Sequence, residues 1–331
     1  MEIQIEKHYL LEADGLKKVY PSNDGLFNKE TLTAVNNVSL SISRGEIFGL
    51  VGESGCGKST LARMLLLMVC PSSGVLKYDG KKYYCNGKRI KFDPALFQRN
   101  IQMVFQNPST SISPYMTIEQ IIGEPLDINK LYRNKKERQE YISSCLEKVG
   151  LEGSNLEKYP HELSGGQQQR VGIARALAVN PEFLICDEPL SALDVQSQYK
   201  VLRLLINLKQ TDLTYLFISH DIRIVKNISD RMAVMYRGCI VEMGKSNDVY
   251  SSPIHPYTQI LLNSVKNNSN MQSVDTLSSY NFELIQSNCG RGCRFSFSCP
   301  LKKDVCSQLT PELQEISNGH YVACHNYCNK I

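Results

Sequence analysis

Short apolar runs, each bounded by charge or turn residues, set the rhythm of the first 250 or so positions. Ile47–Val51, Phe183–Cys186 and the segments "IQMVF" (from Ile101) and "TYLFIS" (from Thr214) are dominated by hydrophobics. That is the pattern of strands covered on both faces rather than of half-solvated ones. Longer stretches with helical spacing separate them: the residues after Lys58, "MTIEQIIGEPL", and "NKKERQEYISSCLEKVGL", whose apolar face carries Tyr141, Cys145, Leu146 and Val149. "VNNVSLSISRGEIFGLV" predicts a strand, a tight turn at Arg44-Gly45 and a second strand, and "KYDGKKYYCNGKRIKF" predicts a β-ribbon. Helices and strands alternate again from Gln196 to Glu242, as in a doubly wound sheet. From Lys266 to Asn288 the chain turns polar and loses any apolar period, which reads as a linker before a final segment from Cys289 to Ile331.

Composition narrows the function classes only a little. A chain of 331 residues accommodates one large domain with a small appendix. The net charge of +4 is modest and dispersed, with no electrostatic footprint for nucleic acid, and the basic run "YRNKKERQE" reads as a solvated helix face. No stretch approaches the ~20 apolar residues of a membrane span. The most apolar helix candidate, "LARMLLLMV", is short and contains Arg63. The opening "MEIQIEKHYLLEADG" lacks the apolar core of a signal peptide, so the chain is expected on the cytoplasmic side, held at a membrane only by other subunits.

The strongest local chemistry follows the strand Ile47–Val51. Gly52-Glu53-Ser54-Gly55-Cys56-Gly57-Lys58-Ser59, with Thr60 next, has the G-x-x-x-x-G-K-[ST] spacing between a strand and a helix. Glycines there let successive backbone N–H groups turn inward as an anion nest, and the helix N-terminus adds its dipole. Lys58 reaches β- and γ-phosphates, and the Ser59 hydroxyl suits Mg²⁺. An ordinary glycine-rich turn would not need a strand and a helix flanking it. Far downstream, "PEFLICDEPLSALD" ends a strand in Asp187-Glu188, and ligands gather at the carboxyl ends of parallel strands. This places Asp187 beside a metal and Glu188 where an attacking water would sit; the alternative is a solvated acidic loop.

"HELSGGQQQRVGIARAL" contains Leu163-Ser164-Gly165-Gly166-Gln167 opening a helix that runs to about Ala178. It resembles the signature motif of ABC-type ATPases, and the order of the other motifs agrees. The resemblance covers residues 8–265 and implies an α/β P-loop NTPase with a parallel-sheet core, an antiparallel β subdomain and a helical signature subdomain. The domains expected are therefore 1–265 for nucleotide binding, 266–288 as linker and 289–331 as a cysteine-rich extension. It implies that Lys58 and Ser59 hold phosphate and Mg²⁺, that Gln106 senses Mg²⁺ and contacts the membrane partner, and that Asp187 supports Mg²⁺. Glu188 would be the general base, Asp194 in "SALD" the residue of the loop coupling two ATP sites, and His220 the switch histidine near the γ-phosphate. Tyr20 would stack on adenine, with Tyr9 and Phe27 as near alternatives, and the β-ribbon would lie beside the base. Ser164, Gly165 and Gly166 would face the γ-phosphate held by an opposite subunit. A single P-loop and a single signature then require a second ATPase domain from another chain.

Three stretches resemble one branch of that family, the importers of oligopeptides, dipeptides and nickel: "IQMVFQNPSTSISPYMTI", "SSPIHPYTQILLNSV" and the late cysteines. Asn107 and Tyr115 depart from the pattern, where an acid and an arginine are common. The branch implies an ATP-hydrolysing subunit paired with a similar but distinct ATPase chain, beneath two transmembrane permease subunits. An extracytoplasmic binding protein would supply peptides, nickel or metal chelates, and nucleic acid has no place in the scheme. The rival readings are a soluble ABC ATPase acting on ribosomes or DNA, which usually carries two such domains or a long coiled-coil insert, and a regulatory sensor, which has no need of Glu188.

Twelve cysteines include six after residue 288: Cys289, Cys293, Cys299, Cys306, Cys324 and Cys328. Disulfides are disfavoured in a reducing compartment, and inert buried thiols do not cluster. Structural zinc is open, with Cys289/Cys293 or Cys324/Cys328 as a close pair. The resemblance to the importers' extension implies instead a [4Fe–4S] cluster on Cys293, Cys299, Cys306 and Cys324.

Overall fold

The computed structural model describes residues 9–23, 29–267 and 292–327. Cys289, Cys328, Phe27 and most of the expected linker lie outside them. In chain order the described strands are β1 Tyr9–Asn23, β2 Lys29–Ser43, β3 Ile47–Val51, β4 Ser73–Tyr78, β5 Lys81–Cys85, β6 Lys88–Arg89 and β7 Ile101–Val104. They continue with β8 Phe183–Asp187, β9 Thr214–Ser219, β10 Arg231–Tyr236, β11 Cys239–Lys245, β12 Gln314–Ser317 and β13 His320–Val322. Contacts divide the chain into two compact units, one built mainly from Ile42–Ile47 and Ile90–Ser219, the other from Leu11–Ser41, Phe48–Arg89 and residues after His220.

The first unit carries three parallel strands, β7, β8 and β9, in the register Ile101↔Phe183 and Phe183↔Thr214. Every residue of β8 and β9 is buried, as their unbroken hydrophobic runs require. Its helices start where the sequence supplies caps. Thr117 and Gln120 exchange side-chain and backbone hydrogen bonds ahead of Ile118–Ile128, and Asn134 caps Lys135–Lys148. In the latter helix the buried face is Ile142, Cys145 and Leu146, continued by Val149 just past its end. Tyr141 is only half-buried, and its hydroxyl donates to the Ala178 carbonyl. Three residues of the expected face, Cys145, Leu146 and Val149, are buried, and Ile142 takes the place of Tyr141, because a phenol needs a polar partner at its tip and Ile142 does not. The Arg44-Gly45 turn forms as expected, with Gly45 N–H donating to Thr214 Oγ1 at 2.8 Å.

The second unit holds two sheets. One has the order β2-β1-β4-β5-β6, in which the ribbon of β4, β5 and β6 pairs antiparallel, as its sequence predicts. In the other, β3 pairs parallel with β10, which turns antiparallel into β11. The turn is the two-residue loop Arg237-Gly238, both with positive φ (43° and 82°), the conformation that matches the twist of a tight hairpin. β13 and then β12 extend the sheet antiparallel from β11, through Glu242↔Val322 and Met243↔Tyr321. The extension therefore shares a sheet with the strand that leads into the glycine loop. β12 is exposed along its length and forms the last strand on that side. Residues 266 and 267 complete the helix Pro256–Asn267, so the expected linker begins inside it.

Candidate nucleotide site

The glycine loop leaves β3 and enters the helix Lys58–Leu65 through Gly57, whose φ of +108° is open to glycine alone at low cost. A β-carbon there would stand 2.3 Å from the Ala34 carbonyl oxygen, and one on Gly52 would stand 2.2 Å from that of Met235. Both glycines are therefore demanded by the backbone packed around the loop as well as by any ligand. Lys58 is buried, and its ammonium donates to the carbonyls of Gly52 (2.7 Å) and Glu53 (2.8 Å), folded over the loop it follows. The helix N-terminus and this ammonium put positive charge at one concave backbone segment, which is the electrostatics a polyphosphate needs. Burial raises the Cys56 thiol above its usual range, so it stays protonated and fills space in the loop. Burial likewise raises the Glu53 carboxyl, opposed by the charges of Arg237 and Lys58.

In the other unit, β8 ends in the buried pair Asp187 and Glu188. Glu188 adopts φ +46°, a left-handed conformation that costs a non-glycine residue on the order of 1–3 kcal/mol. Hydrogen bonds on both sides hold it there: its N–H donates to the Ile218 carbonyl (3.0 Å), and its carbonyl accepts from the Ser191 hydroxyl (3.1 Å). Gln106, just beyond β7, donates its side-chain amide to Glu188 Oε2 at 3.2 Å. Two residues 82 positions apart are thus joined as one polar device.

Ser164 caps the helix Gly165–Leu177 by accepting from Gln167 N–H, while Gln167 Oε1 accepts from Ser164 N–H at 2.9 Å. Ser164 and Gly165 are exposed, leaving this helix N-terminus open to an anion from outside. A β-carbon on Gly166 would meet the Ser197 side chain at 2.4 Å, so the signature glycine lets the start of the next helix, Val195–Leu208, approach. Asp194 caps that helix through Ser197 N–H at 3.0 Å. His220 is exposed just past β9. Tyr20 is half-buried in β1, with the Lys18 ammonium 4.9 Å above its ring. Tyr115, one of the departures, is almost fully exposed.

Sequence reasoning passed over Tyr257. Its hydroxyl accepts the Glu53 N–H at 3.3 Å, which makes it a direct partner of the glycine loop. It lies in the "HPYT" segment noted as a resemblance, yet nothing in a stretch two hundred residues downstream marks it as a neighbour of the loop.

Among the cysteines, burial pushes the Cys293 thiol up to about 11, and the neighbouring thiols of Cys306, Cys299 and Cys324 push the same way. The turn that gathers them is tied by Cys293 N–H donating to the Cys306 carbonyl at 2.8 Å and by Lys303 N–H donating to Cys306 Sγ at 3.5 Å. Among the described residues, however, no group of three or more His, Cys, Asp or Glu side chains is placed to hold a metal ion. No helix of the described residues is long and apolar enough to cross a membrane.

Comparison with known proteins agrees with this geometry. Residues 35–191 match the ABC transporter family, and residues 241–306 match the C-terminal region of oligopeptide/dipeptide transporters. The chain is 44% identical over 323 residues to a putative oligopeptide transport ATP-binding protein, YkfD, of Bacillus subtilis, covering 97% of this chain and 96% of that one. It is 40% identical to the dipeptide transport ATP-binding protein DppF of Haemophilus influenzae, covering 95% and 96%. Among solved structures, the ATP-binding cassette MJ0796, a dimer in a post-hydrolysis state with ADP and phosphate, superposes with a TM-score of 0.61 at 30% identity, covering 71% of this chain and 98% of that one.

Proposed function

Because the chain belongs to the ATP-binding subunits of the ABC transporters for oligopeptides and dipeptides, we propose that it hydrolyses ATP to drive peptide import. The relatives' names speak of peptides, so a peptide rather than nickel or a metal chelate is the cargo of this reading. The observation that carries the chemistry is Glu188, a buried carboxylate held in a left-handed conformation and hydrogen-bonded by Gln106.

In this reading Lys58 and the amides opening its helix hold the β- and γ-phosphates. Glu188 accepts the proton of the water that attacks the γ-phosphorus, while the bond to the leaving ADP oxygen breaks. Gln106 keeps the Glu188 carboxylate oriented, and His220 lies near the γ-phosphate. Tyr20 stacks on adenine. Ser59, Gln106 and Asp187 would hold Mg²⁺, an all-oxygen donor set of the kind that ion prefers, and the ion would neutralise phosphate charge. The exposed cap of Ser164, Gly165 and Gly166 serves the γ-phosphate of a second ATPase subunit, with Asp194 at the coupling loop. Two permease subunits and an extracytoplasmic binding protein complete the assembly, which keeps this chain on the cytoplasmic face of the membrane. Glu188→Gln should lower turnover by roughly 10²- to 10⁴-fold while ATP still binds. Hydrolysis at the wild-type rate would remove Glu188 from the mechanism.

Cys293, Cys299, Cys306 and Cys324 would bind a [4Fe–4S] cluster. What supports that reading is that Cys306, Cys299 and Cys324 lie near enough to Cys293 to act on its thiol. The match of residues 241–306 to the transporters' C-terminal region adds to it. Protein purified without oxygen should be brown, with near-equal iron and acid-labile sulfide; stoichiometric zinc in a colourless protein would replace the cluster.

A further inference from the structure

The glycine loop is gripped from outside at two points, and both grips lead to the cysteine-rich extension. At its start, Glu53 N–H donates to Tyr257 Oη at 3.3 Å, so this amide anchors the loop rather than a phosphate. Near its end, the Cys56 carbonyl accepts from Gly238 N–H at 2.7 Å, in the β10–β11 turn. That turn is held in its own right, since Asn36 N–H donates to the Gly238 carbonyl at 2.8 Å.

Two adjacent residues of the extension close over these anchors. Phe295, buried, has its ring centroid 5.7 Å from that of Tyr257 and 5.2 Å from that of Tyr236, edge-on to both. Tyr236 and Tyr257 themselves approach to 4.5 Å. Such edge-to-face clusters fix ring orientation beyond what burial alone does. Phe295 thus packs directly against the ring whose hydroxyl holds the loop. Arg294, next in line, donates to the Arg237 carbonyl in the hairpin turn and to the Thr33 carbonyl at 3.4 Å. Both residues follow Cys293 directly, so the segment that gathers the thiols also seats the two anchors.

We propose that Tyr257 is a positioning residue for the phosphate loop, and that Arg294 and Phe295 of the extension hold its surroundings in place, so that ATP affinity depends on the extension being docked. This rests on the reading of Gly52–Ser59 as the ATP-phosphate loop. A preorganised loop binds more tightly than one that must be ordered by its ligand, and linkage runs both ways. ATP must then tighten the extension as much as the extension tightens the ATP site.

The test uses the full chain, titrated with Mg·ATP and followed by amide hydrogen exchange. Tyr257→Phe keeps the ring and deletes one hydrogen bond; ATP binding should weaken about fivefold. Phe295→Ala should weaken it roughly tenfold, and Phe295→Leu, which refills the space, should recover most of that loss. Exchange in residues 292–299 should slow when ATP binds to the wild type, and slow less in Tyr257→Phe. Lys58→Ala separates the two readings. If it binds ATP as the wild type does, the phosphate-loop reading fails. If it loses ATP while Tyr257→Phe and Phe295→Ala bind normally and ATP leaves exchange at 292–299 unchanged, the positioning role is overturned. Because Tyr257→Phe is nearly isosteric, its result stands even if Phe295→Ala proves unstable.

Discussion

The glycine loop Gly52–Ser59 and the described residues 292–327 lie in the same unit, yet they are built in opposite ways. The loop's residue types are set by eight consecutive positions: a lysine folds back over the backbone it follows, and two glycines admit the distant carbonyls of Ala34 and Met235. The extension takes its shape from distant partners. Its strand β13 is registered against β11, and its buried His320 meets Glu242 at 2.8 Å across 78 positions. Glu242, fully buried, also accepts from the N–H groups of Ile254 and His255, both at 2.9 Å. A contiguous motif makes its chemistry by local geometry, whereas a dispersed one needs a buried polar hub to bring its parts together.

That contrast breaks most sharply at the hub. Glu242→Ala leaves three donors without their acceptor and should cost about 3–5 kcal/mol. Chemical denaturation would show the loss, with β13 the first strand released in hydrogen exchange; a loss below about 1 kcal/mol would mean that the extension is held by packing alone. The loop should respond in the other currency, affinity. Gly57→Ala forces both a positive φ and a contact of 2.3 Å with backbone, and ATP binding should fall on the order of 100-fold, about 2.7 kcal/mol. Gly55→Ala shares the positive φ but meets nothing within 4 Å, and should cost about tenfold at most. Equal effects of the two would assign the whole requirement to φ rather than to close packing.

The smallest effect joins the two regions. His255 is buried, and burial lowers its pKa from 6.5 to about 4. Its Nδ1 accepts from Tyr257 N–H at 3.1 Å, the neutral ring's role. A base with a depressed folded-state pKa contributes stability that is complete above pH 6.5 and is lost as pH falls from there toward 4, because the unfolded chain takes up the proton first. At pH 5.5 the loss should be on the order of 1 kcal/mol relative to neutral pH. His255→Asn keeps an acceptor for Tyr257 N–H and has no proton to gain, so its stability should vary less over that window. Parallel curves for the two proteins would remove His255 as the cause.

The strands that lead into the glycine loop and into the acidic pair were each legible because they are buried on both faces: β3 and β8 read as plain apolar runs, and the structure buries all ten of their residues. Where a side chain has two characters the pattern misleads by one position, as at Tyr141, whose hydroxyl draws it from the face that Ile142 fills. The individual residues of the nucleotide motifs were nameable because the chemistry restricts both identity and spacing. Tyr257 was not, since its role consists of one hydrogen bond to an amide 204 positions away.

By itself, the sequence determined that this chain carries a glycine loop between a strand and a helix, an acidic strand end and a capped helix at Ser164, because each is a local solution to backbone geometry that few residue types satisfy. Only the tertiary structure decided that Gln106 holds Glu188, that Glu188 is strained, and that Arg294 and Phe295 stand over the anchors of the loop. Those depend on which strands and turns become neighbours, and burial together with hydrogen-bond satisfaction across the whole chain selects that, not any single stretch of it.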